Sequence, residues 1–547
     1  MKKTNNTALT TAKLRASSML LAASMLIGGM TMLNGCRKNE DNTVTEKTET
    51  VHEQSASFLS DPNAEEIIQI PAVKTENYSL SVTDMTYYFR TVYNSYVSML
   101  ESYGLSDYIV IDPSKSLKEQ ECTMASEGTW YDFFLTMTIS EVEKLLACAE
   151  QAKASGIALT EEDHSQIEAA VAKFDEYADD AGVTTEEYLE ALYGKKVTAD
   201  TLRKHFELQQ LYQKYISLAE QLADTSDGTV ERIYAADPKQ YDTTEYISFT
   251  FDFNDLYLEE GEQTDETGDA FLTKDRDEAV KKSREDAGNL KADLDRADTL
   301  EERQKIFEDF LKDYLTDEFG LTDAEYEAQK DSFIKTATYI KDDKTLSWAF
   351  DEHTKAGDVK MFTEKEAHEH KEGDDESALA DIYTVVLITR EAGRDESMAT
   401  ADVRHILFSK DEYEDDTKVR EALEELEAVL GTDRFVSKFE ELAKEYSADT
   451  ANKNNGGLME NCRKGMFVKA FDEWVFGGKN AEGDLGMTYT EEYGWHIVYI
   501  DKAGLPEWKY SIVSEIRENA VSSAIETAAE KNTVTVDEEL LKKEMDV

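Results

Sequence analysis

Apolar residues recur at helical spacing through residues 76–235. Met85, Tyr88 and Phe89 are followed by Val92, Tyr96 and Leu100, intervals of three and four that place side chains on one face of a helix. Leu208, Leu211, Tyr212 and Tyr215 form a second stripe. Thr160 with Asp163, and Thr184 with Glu187, have the spacing of a capping box at a helix start. Residues 76–235 are therefore predicted to be a helical domain. Residues 37–75 are polar and acidic without a period and predict a spacer. Residues 506–547 return to a helical pattern and read as a carboxyl-terminal helical tail.

The pattern changes between these regions. Tyr246-Ile247-Ser248-Phe249-Thr250-Phe251 and Tyr383-Thr384-Val385-Val386-Leu387-Ile388 are strands by their β-branched and aromatic content. Val403-Arg404-His405-Ile406-Leu407-Phe408 and Trp495-His496-Ile497-Val498-Tyr499-Ile500 are two more. Alternation puts Val403, His405 and Leu407 on one face, and His496, Val498 and Ile500 on one face. Trp348-Ala349-Phe350, Gly357-Asp358 and the strand at 383 follow the same order as Trp474-Val475-Phe476, Gly483-Asp484 and the strand at 495. The Trp-to-Gly interval is the same in both. Residues 236–393 thus read as a degenerate copy of residues 394–505, with an unrelated α+β insertion as the other reading. Aligning the strands sets Tyr246 at the place of His405 and Thr384 at that of His496.

Composition narrows the function. The 116 acidic residues against 59 basic ones give a formal charge of −57. Nucleic-acid binding needs a positive footprint, and anionic membrane surfaces repel such a chain. With 547 residues, three or more domains are expected. Lys2, Lys3, Lys13 and Arg15 precede an apolar stretch from Met19 to Met32, then Leu33-Asn34-Gly35-Cys36. This resembles a bacterial lipoprotein signal over residues 1–35. The resemblance implies cleavage before Cys36, lipidation of its thiol, and a spacer over 36–75 that lifts the protein from the extracytoplasmic face of a membrane. The apolar stretch is short for a membrane span, and an uncleaved anchor is the alternative. Cys122, Cys148 and Cys462 remain, an odd number that cannot all pair.

Further motifs lie between the two histidine strands: Phe439-Glu440-Glu441-Leu442-Ala443-Lys444-Glu445-Tyr446-Ser447, Asp449, Gly456-Gly457, Gly465-Met466-Phe467-Val468-Lys469-Ala470-Phe471 and Gly483-Asp484. In this order they resemble the parvulin-type (PpiC-like) peptidyl-prolyl isomerase domain. Gly128-Thr129-Trp130-Tyr131-Asp132-Phe133-Phe134 and Leu192-Tyr193-Gly194-Lys195-Lys196-Val197-Thr198 look like the helical amino-terminal region of SurA-like and PrsA-like extracytoplasmic foldases. Plain core is the other reading of those aromatics. The fold expected is α+β and multidomain, a helical SurA-like chaperone domain, completed as the resemblance implies by the 506–547 tail, with two parvulin-like α+β domains, the first degenerate.

The resemblance assigns the site. His405 and His496 are implied to be a hydrogen-bonded pair at its base, and Asp449 to act on the histidine network or the rotating carbonyl. Met459, Phe467 and Phe471 are implied to wall a pocket for a proline ring. Taken singly, the histidines read as core residues, the aromatics as helix packing and Asp449 as a loop carboxylate. After Gly456-Gly457 the family's Asp-Leu-Gly is replaced by Leu458-Met459-Glu460. The reaction implied, rotation of X-Pro bonds, needs no cofactor and no metal. The segment Ser409–Asp416 lacks the basic cluster that phosphate recognition requires. His353, His368 and His370 lie among carboxylates, but a solvated acidic loop fits them better than a metal site. The partners implied are unfolded or partly folded secreted proteins containing proline, and a membrane through Cys36. No nucleic acid is expected, and the oligomeric state stays open, a dimer included. A non-catalytic holdase and a solute-binding lipoprotein are the rival readings.

Overall fold

The computed structural model describes residues 69–545, apart from 103–110, 113–114, 126–127, 257–274, 319–320, 366–379, 398 and 414. The signal expected over 1–35, Cys36, His368 and His370 lie outside the described residues. These divide into two compact units. One holds the chain up to Thr225 and again from Glu515, the other Ser226 to Ser514.

The first unit opens with β1 (Pro71–Lys74) and β2 (Ser79–Ser81), then α1 (Val82–Ser102), α2 (Trp130–Ala154), α3 (Glu161–Ala181), α4 (Thr185–Tyr193) and α5 (Ala199–Leu222). A spacer was expected as far as residue 75, but β1 already belongs to the folded unit, with Ala72 and Val73 buried. The capping boxes at Thr160/Asp163 and Thr184/Glu187 both form, and so do two more at Thr129/Asp132 and Thr198/Thr201. Each satisfies backbone donors that a helix start would otherwise leave orphaned. Trp130, Tyr131 and Phe134 are buried and pack against Phe89 and Tyr96. Those aromatics therefore form core, the blander of their two readings.

The second unit starts with α6 (Asp227–Ala236), which had been expected to close the helical domain. Arg394 explains its place. Its guanidinium pairs with Glu231 at 2.8 Å and 2.5 Å, and lies over the rings of Tyr234 and Trp508. After α6 come β3 (Thr243–Phe251), α7 (Arg276–Arg296), α8 (Leu300–Glu318), α9 (Asp323–Gln329), β4 (Ile334–Thr338), α10 (Lys344–Ala349), β5 (Val359–Lys365) and β6 (Asp381–Gly393). The plan then repeats as β7 (Ala399–Ser409), α11 (Thr417–Glu427), α12 (Phe435–Tyr446), β8 (Leu458–Cys462), α13 (Lys469–Phe476), β9 (Leu485–Thr490) and β10 (Gly494–Pro506). The two sheets have the orders β4-β3-β6-β5 and β8-β7-β10-β9, antiparallel throughout. In each, the first and last strands of the repeat are the central pair.

The register corrects one expectation. Gly357 and Asp358 bond to Ile388 as Gly483 and Asp484 bond to Ile500, which places Thr384 at the position of His496, as expected. Val386 then corresponds to Val498. Their partners across the sheet are Ser248 and His405. Ser248, not Tyr246, stands where His405 does; Tyr246 occupies the place of Val403. A shift of two residues keeps every side chain on its own face, so alternation alone is blind to it.

The chain then continues as α14 (Glu507–Lys531), which crosses from the second unit into the first, then β11 (Thr535–Val536) and α15 (Glu538–Glu544). β11 pairs antiparallel with β1, through Val73 with Val536 and Lys74 with Thr535. The hydroxyl of Tyr131 donates to the carbonyl of Leu541 at 2.9 Å, 410 positions further along. Cys122, Cys148 and Cys462 are buried and unpaired. Among the described residues no helix is long and apolar enough to cross a membrane.

Candidate active site

The central strands β7 and β10 have two unlike faces. Ile406, Phe408 and Ile497 pack on α11 and α12 through Leu426, Phe439 and Leu442. Val403, Val498 and Ile500 pack on α13 through Phe471 and Val475, with Met459 and Phe467 against the same cluster. His405 and His496 belong to this second face. His405 lies opposite Val498 and His496 opposite Leu407, so the two rings are diagonal neighbours. Their centroids are 5.8 Å apart and their planes differ by 20°. Phe471 meets both rings edge to face, at 5.5 Å and 5.2 Å, and Phe467 lies against Phe471 at 4.7 Å, its ring tilted by 49°.

The two histidines do not bond to each other, which corrects the pairing the resemblance implied. Each spends its Nε2 elsewhere. His405 Nε2 is 2.8 Å from Asp449 Oδ2, and His496 Nε2 is 3.0 Å from Thr490 Oγ. The Thr490 hydroxyl donates to the Gly494 carbonyl at 3.3 Å, which leaves its oxygen to accept from His496. Nδ1 of each histidine is buried and has no hydrogen-bonding partner among the described residues. Both residues are 5% exposed.

Asp449 reaches His405 from the turn after α12. Ser447 Oγ accepts the amides of Leu407 and Asp449 at 3.2 Å and 3.3 Å, and the Ala448 amide donates to the Leu407 carbonyl at 2.8 Å. This pins the turn to β7. The hydrogen bond from His405 holds the Asp449 carboxyl down to about 2, helped by the Ala451 amide and Asn452 and opposed by its partial burial. Burial pushes His496 down to about 4, with the neighbouring His405 adding to the effect. At neutral pH the site therefore holds a carboxylate bound to one imidazole, beside a second imidazole that is neutral.

The glycine pair closes the floor. Gly457 has φ +71°, and a Cβ there would stand 2.3 Å from the His405 carbonyl oxygen. Its own carbonyl accepts the His405 amide at 2.9 Å. Only a residue without a side chain can approach so closely in the left-handed region. Leu458-Met459-Glu460, the departure from the expected loop, opens β8, and Met459 pairs with Val403 on the site face. All six residues singled out in the sequence thus converge on one face.

Two participants were missed. Asn452 Nδ2 lies 2.8 Å from both His405 Nε2 and Asp449 Oδ2, and Thr490 receives His496. Neither carries a local sequence signal; both become visible only once β9 and the turn after α12 are folded against the sheet. Among the described residues no cluster of His, Cys, Asp and Glu could hold a metal ion, and His353 is exposed beside Asp351 and Glu352.

Residues 386–503 match the family described as the PPIC-type PPIASE domain. This stretch is a peptidyl-prolyl isomerase domain. The PPIC-type domain so defined begins within β6 and ends in β10, and it contains every residue of the histidine network. The chain is similar to foldase protein PrsA 2 of Listeria innocua, 36% identical over 100 residues, which are 18% of this chain and 30% of that protein. It is also similar to chaperone SurA of Hahella chejuensis, 26% identical over 119 residues, 22% of this chain and 26% of that one. The chain thus spans less than a third of the length of these curated relatives. Among solved structures, PrsA from Bacillus subtilis aligns with a TM-score of 0.26 at 14% identity, over 79% of this chain and 94% of that one.

Proposed function

We propose that the chain is an extracytoplasmic foldase whose PPIC-type domain catalyses cis/trans isomerisation of X-Pro bonds without a covalent intermediate. One observation carries this reading: Asp449, His405 and His496 are gathered beside an apolar wall of Met459, Phe467 and Phe471 inside a domain of that family. Rotation about the amide faces a barrier of about 18–20 kcal/mol, set by loss of resonance. A proline ring held against Phe467 and Phe471 leaves water and loses its freedom to reorient. Both effects favour the twisted bond. The carbonyl that rotates would face the polar side of the site, where the charge of Asp449 is fixed by its donors and not free to swing away.

Clients would be unfolded or partly folded secreted proteins, for which uncatalysed isomerisation takes roughly tens to hundreds of seconds. The helical unit supports a chaperone role. It contains a cavity of about 430 Å³ whose lining mixes Ile157, Leu159 and Leu208 with Lys153, Lys204 and Glu207. The region around Ser409–Asp416 is acidic, which favours clients that are not phosphorylated. Lipidation at Cys36 would hold the protein at the extracytoplasmic face of the membrane.

The test is isomerisation of an unphosphorylated X-Pro peptide by the full chain, with Phe471→Ala and His405→Ala as controls. Acceleration by the wild type that both variants lose supports the enzyme. A folded wild type that does not accelerate rotation leaves the non-catalytic holdase. Growth with labelled palmitate, comparing wild type with Cys36→Ala, tests the anchor; label retained by the variant would remove Cys36 from the proposal.

A further inference from the structure

Asn452 is bound into the site more tightly than its distance from both strands in the sequence suggests. It is 6% exposed. Its Nδ2 stands 2.8 Å from Asp449 Oδ2 and 2.8 Å from His405 Nε2. Its backbone carbonyl accepts the amides of Asn455 at 2.8 Å and Gly457 at 3.0 Å, and Gly457 in turn accepts the His405 amide. One residue therefore grips the carboxylate with its side chain and the turn beneath the histidine with its backbone.

Charge fixes how these groups are protonated. An ionised carboxylate can only accept. Oδ1 of Asp449 takes the Ala451 amide at 3.0 Å, and Oδ2 faces both Asn452 Nδ2 and His405 Nε2. Turning the amide over would set its oxygen against the carboxylate, so Nδ2 points inward. For the same reason His405 presents a hydrogen on Nε2 to that oxygen, so Nε2 and Asn452 Nδ2, 2.8 Å apart, are two donors sharing one acceptor and not a bonded pair. A carboxylate with a single donor on this oxygen could swing toward solvent, since Asp449 retains 27% side-chain exposure.

We propose that Asn452 is a positioning residue for isomerisation: it holds the Asp449 carboxylate against His405 and so fixes His405 in its Nε2–H form. This rests on the reading of the domain as a working isomerase. The side chain of Asn452 bonds to Asp449 and its carbonyl to the turn beneath His405; it acts through Asp449.

The test uses the full chain with Asn452→Leu, Asp449→Asn and the double variant, each checked for a cooperative melt. Removing one donor to a charged acceptor should lower kcat about ten-fold, with KM unchanged because Met459, Phe467 and Phe471 are untouched. The acid limb of the pH profile should move to higher pH. In the Asp449→Asn background, Asn452→Leu should change kcat less than about two-fold, because groups that act as a unit are not additive. An equal loss in both backgrounds, or a rise in KM alone, overturns the proposal. Ring nitrogen spectra of the chain labelled with 15N-histidine give a readout that needs no activity. His405 should be a single Nε2–H tautomer in the wild type and a mixture in Asn452→Leu. An unchanged His405 spectrum overturns the proposal even where no isomerisation is seen, whereas a wild type without activity but with the tautomer change sinks only the isomerase reading.

Discussion

At the places of His405 and His496 the first sheet of the second unit has Ser248 and Thr384. The differences continue around them. Lys335 stands where Met459 does, Phe333 where Gly457 does, and by the Trp-to-Gly interval Thr345 falls where Phe471 does. Phe362 replaces Thr488 beside the second of these positions, and it is buried together with Val386 and Ile388. Gly486 lets Trp474 lie on β9, its ring 3.0 Å from where a Cβ would be. Lys360, at the same register position, instead lies over Trp348 and Phe362. Strand order is thus kept while both histidines, Met459 and Phe471 are exchanged. A sheet of this order is stable with either set. What the second sheet adds is a buried polar network, which costs stability unless each member is satisfied.

The comparison can be broken most sharply by activity. His405→Ala or Phe471→Ala should cost isomerisation about a hundred-fold, the scale of losing a preorganised electrostatic or orienting group. Ser248→Ala and Thr384→Ala should leave the peptide assay unchanged. Loss of activity from the first sheet would make it a second working site. Gly457→Ala should destabilise the second sheet by about 3 kcal/mol, because the methyl meets the His405 carbonyl in a left-handed backbone. Denaturant melts of the full chain would read this as an earlier transition.

Acid should separate the two sheets as well. His496 is neutral when folded, with its pKa down near 4, while the unfolded ring takes a proton below about 6.5. The unfolded state therefore binds more protons between these values, and stability falls as pH drops from about 6.5 to 4, by about 3 kcal/mol in all. Asp449 is lowered when folded, so its contribution is full above about 3.9 and is lost as pH falls toward 2. His496→Thr, which copies Thr384, should flatten the first of these slopes in melts recorded across that range. The smallest effect concerns Lys360→Gly, which copies Gly486. It removes cation–π contacts at 5.3 Å and 4.8 Å and should cost about 0.5–1 kcal/mol, without any change in isomerisation.

What was legible in the sequence was what is local. Thr160 with Asp163 and Thr184 with Glu187 mark their helix starts because capping is decided within one turn. Alternation set the faces of His405 and His496 within their own strands, and the resemblance of the surrounding motifs brought the two together. The register of Ser248 against His405 was not legible, since a slip of two leaves alternation intact and only the hydrogen bonds of Gly357 and Gly483 distinguish it. Asn452 and Thr490 were missed because nothing nearby in sequence shows that their side chains will meet imidazoles brought from other strands. β1 and β11, four and two residues long, are too short to carry a period, and each gains its meaning from a partner at the far end of the chain.

That last pairing has a consequence for how the molecule comes into being. A chain delivered from its amino terminus presents β1 and the helices that follow long before β11 arrives to cover them. Meanwhile both sheets of the second unit lie between β1 and β11 in the sequence, and their strands pair only among themselves. Closing the longest loop comes last, when its entropy cost falls against a body already compact. The second unit would thus have its strand partners before the helical unit, which waits for β11 to pair with β1.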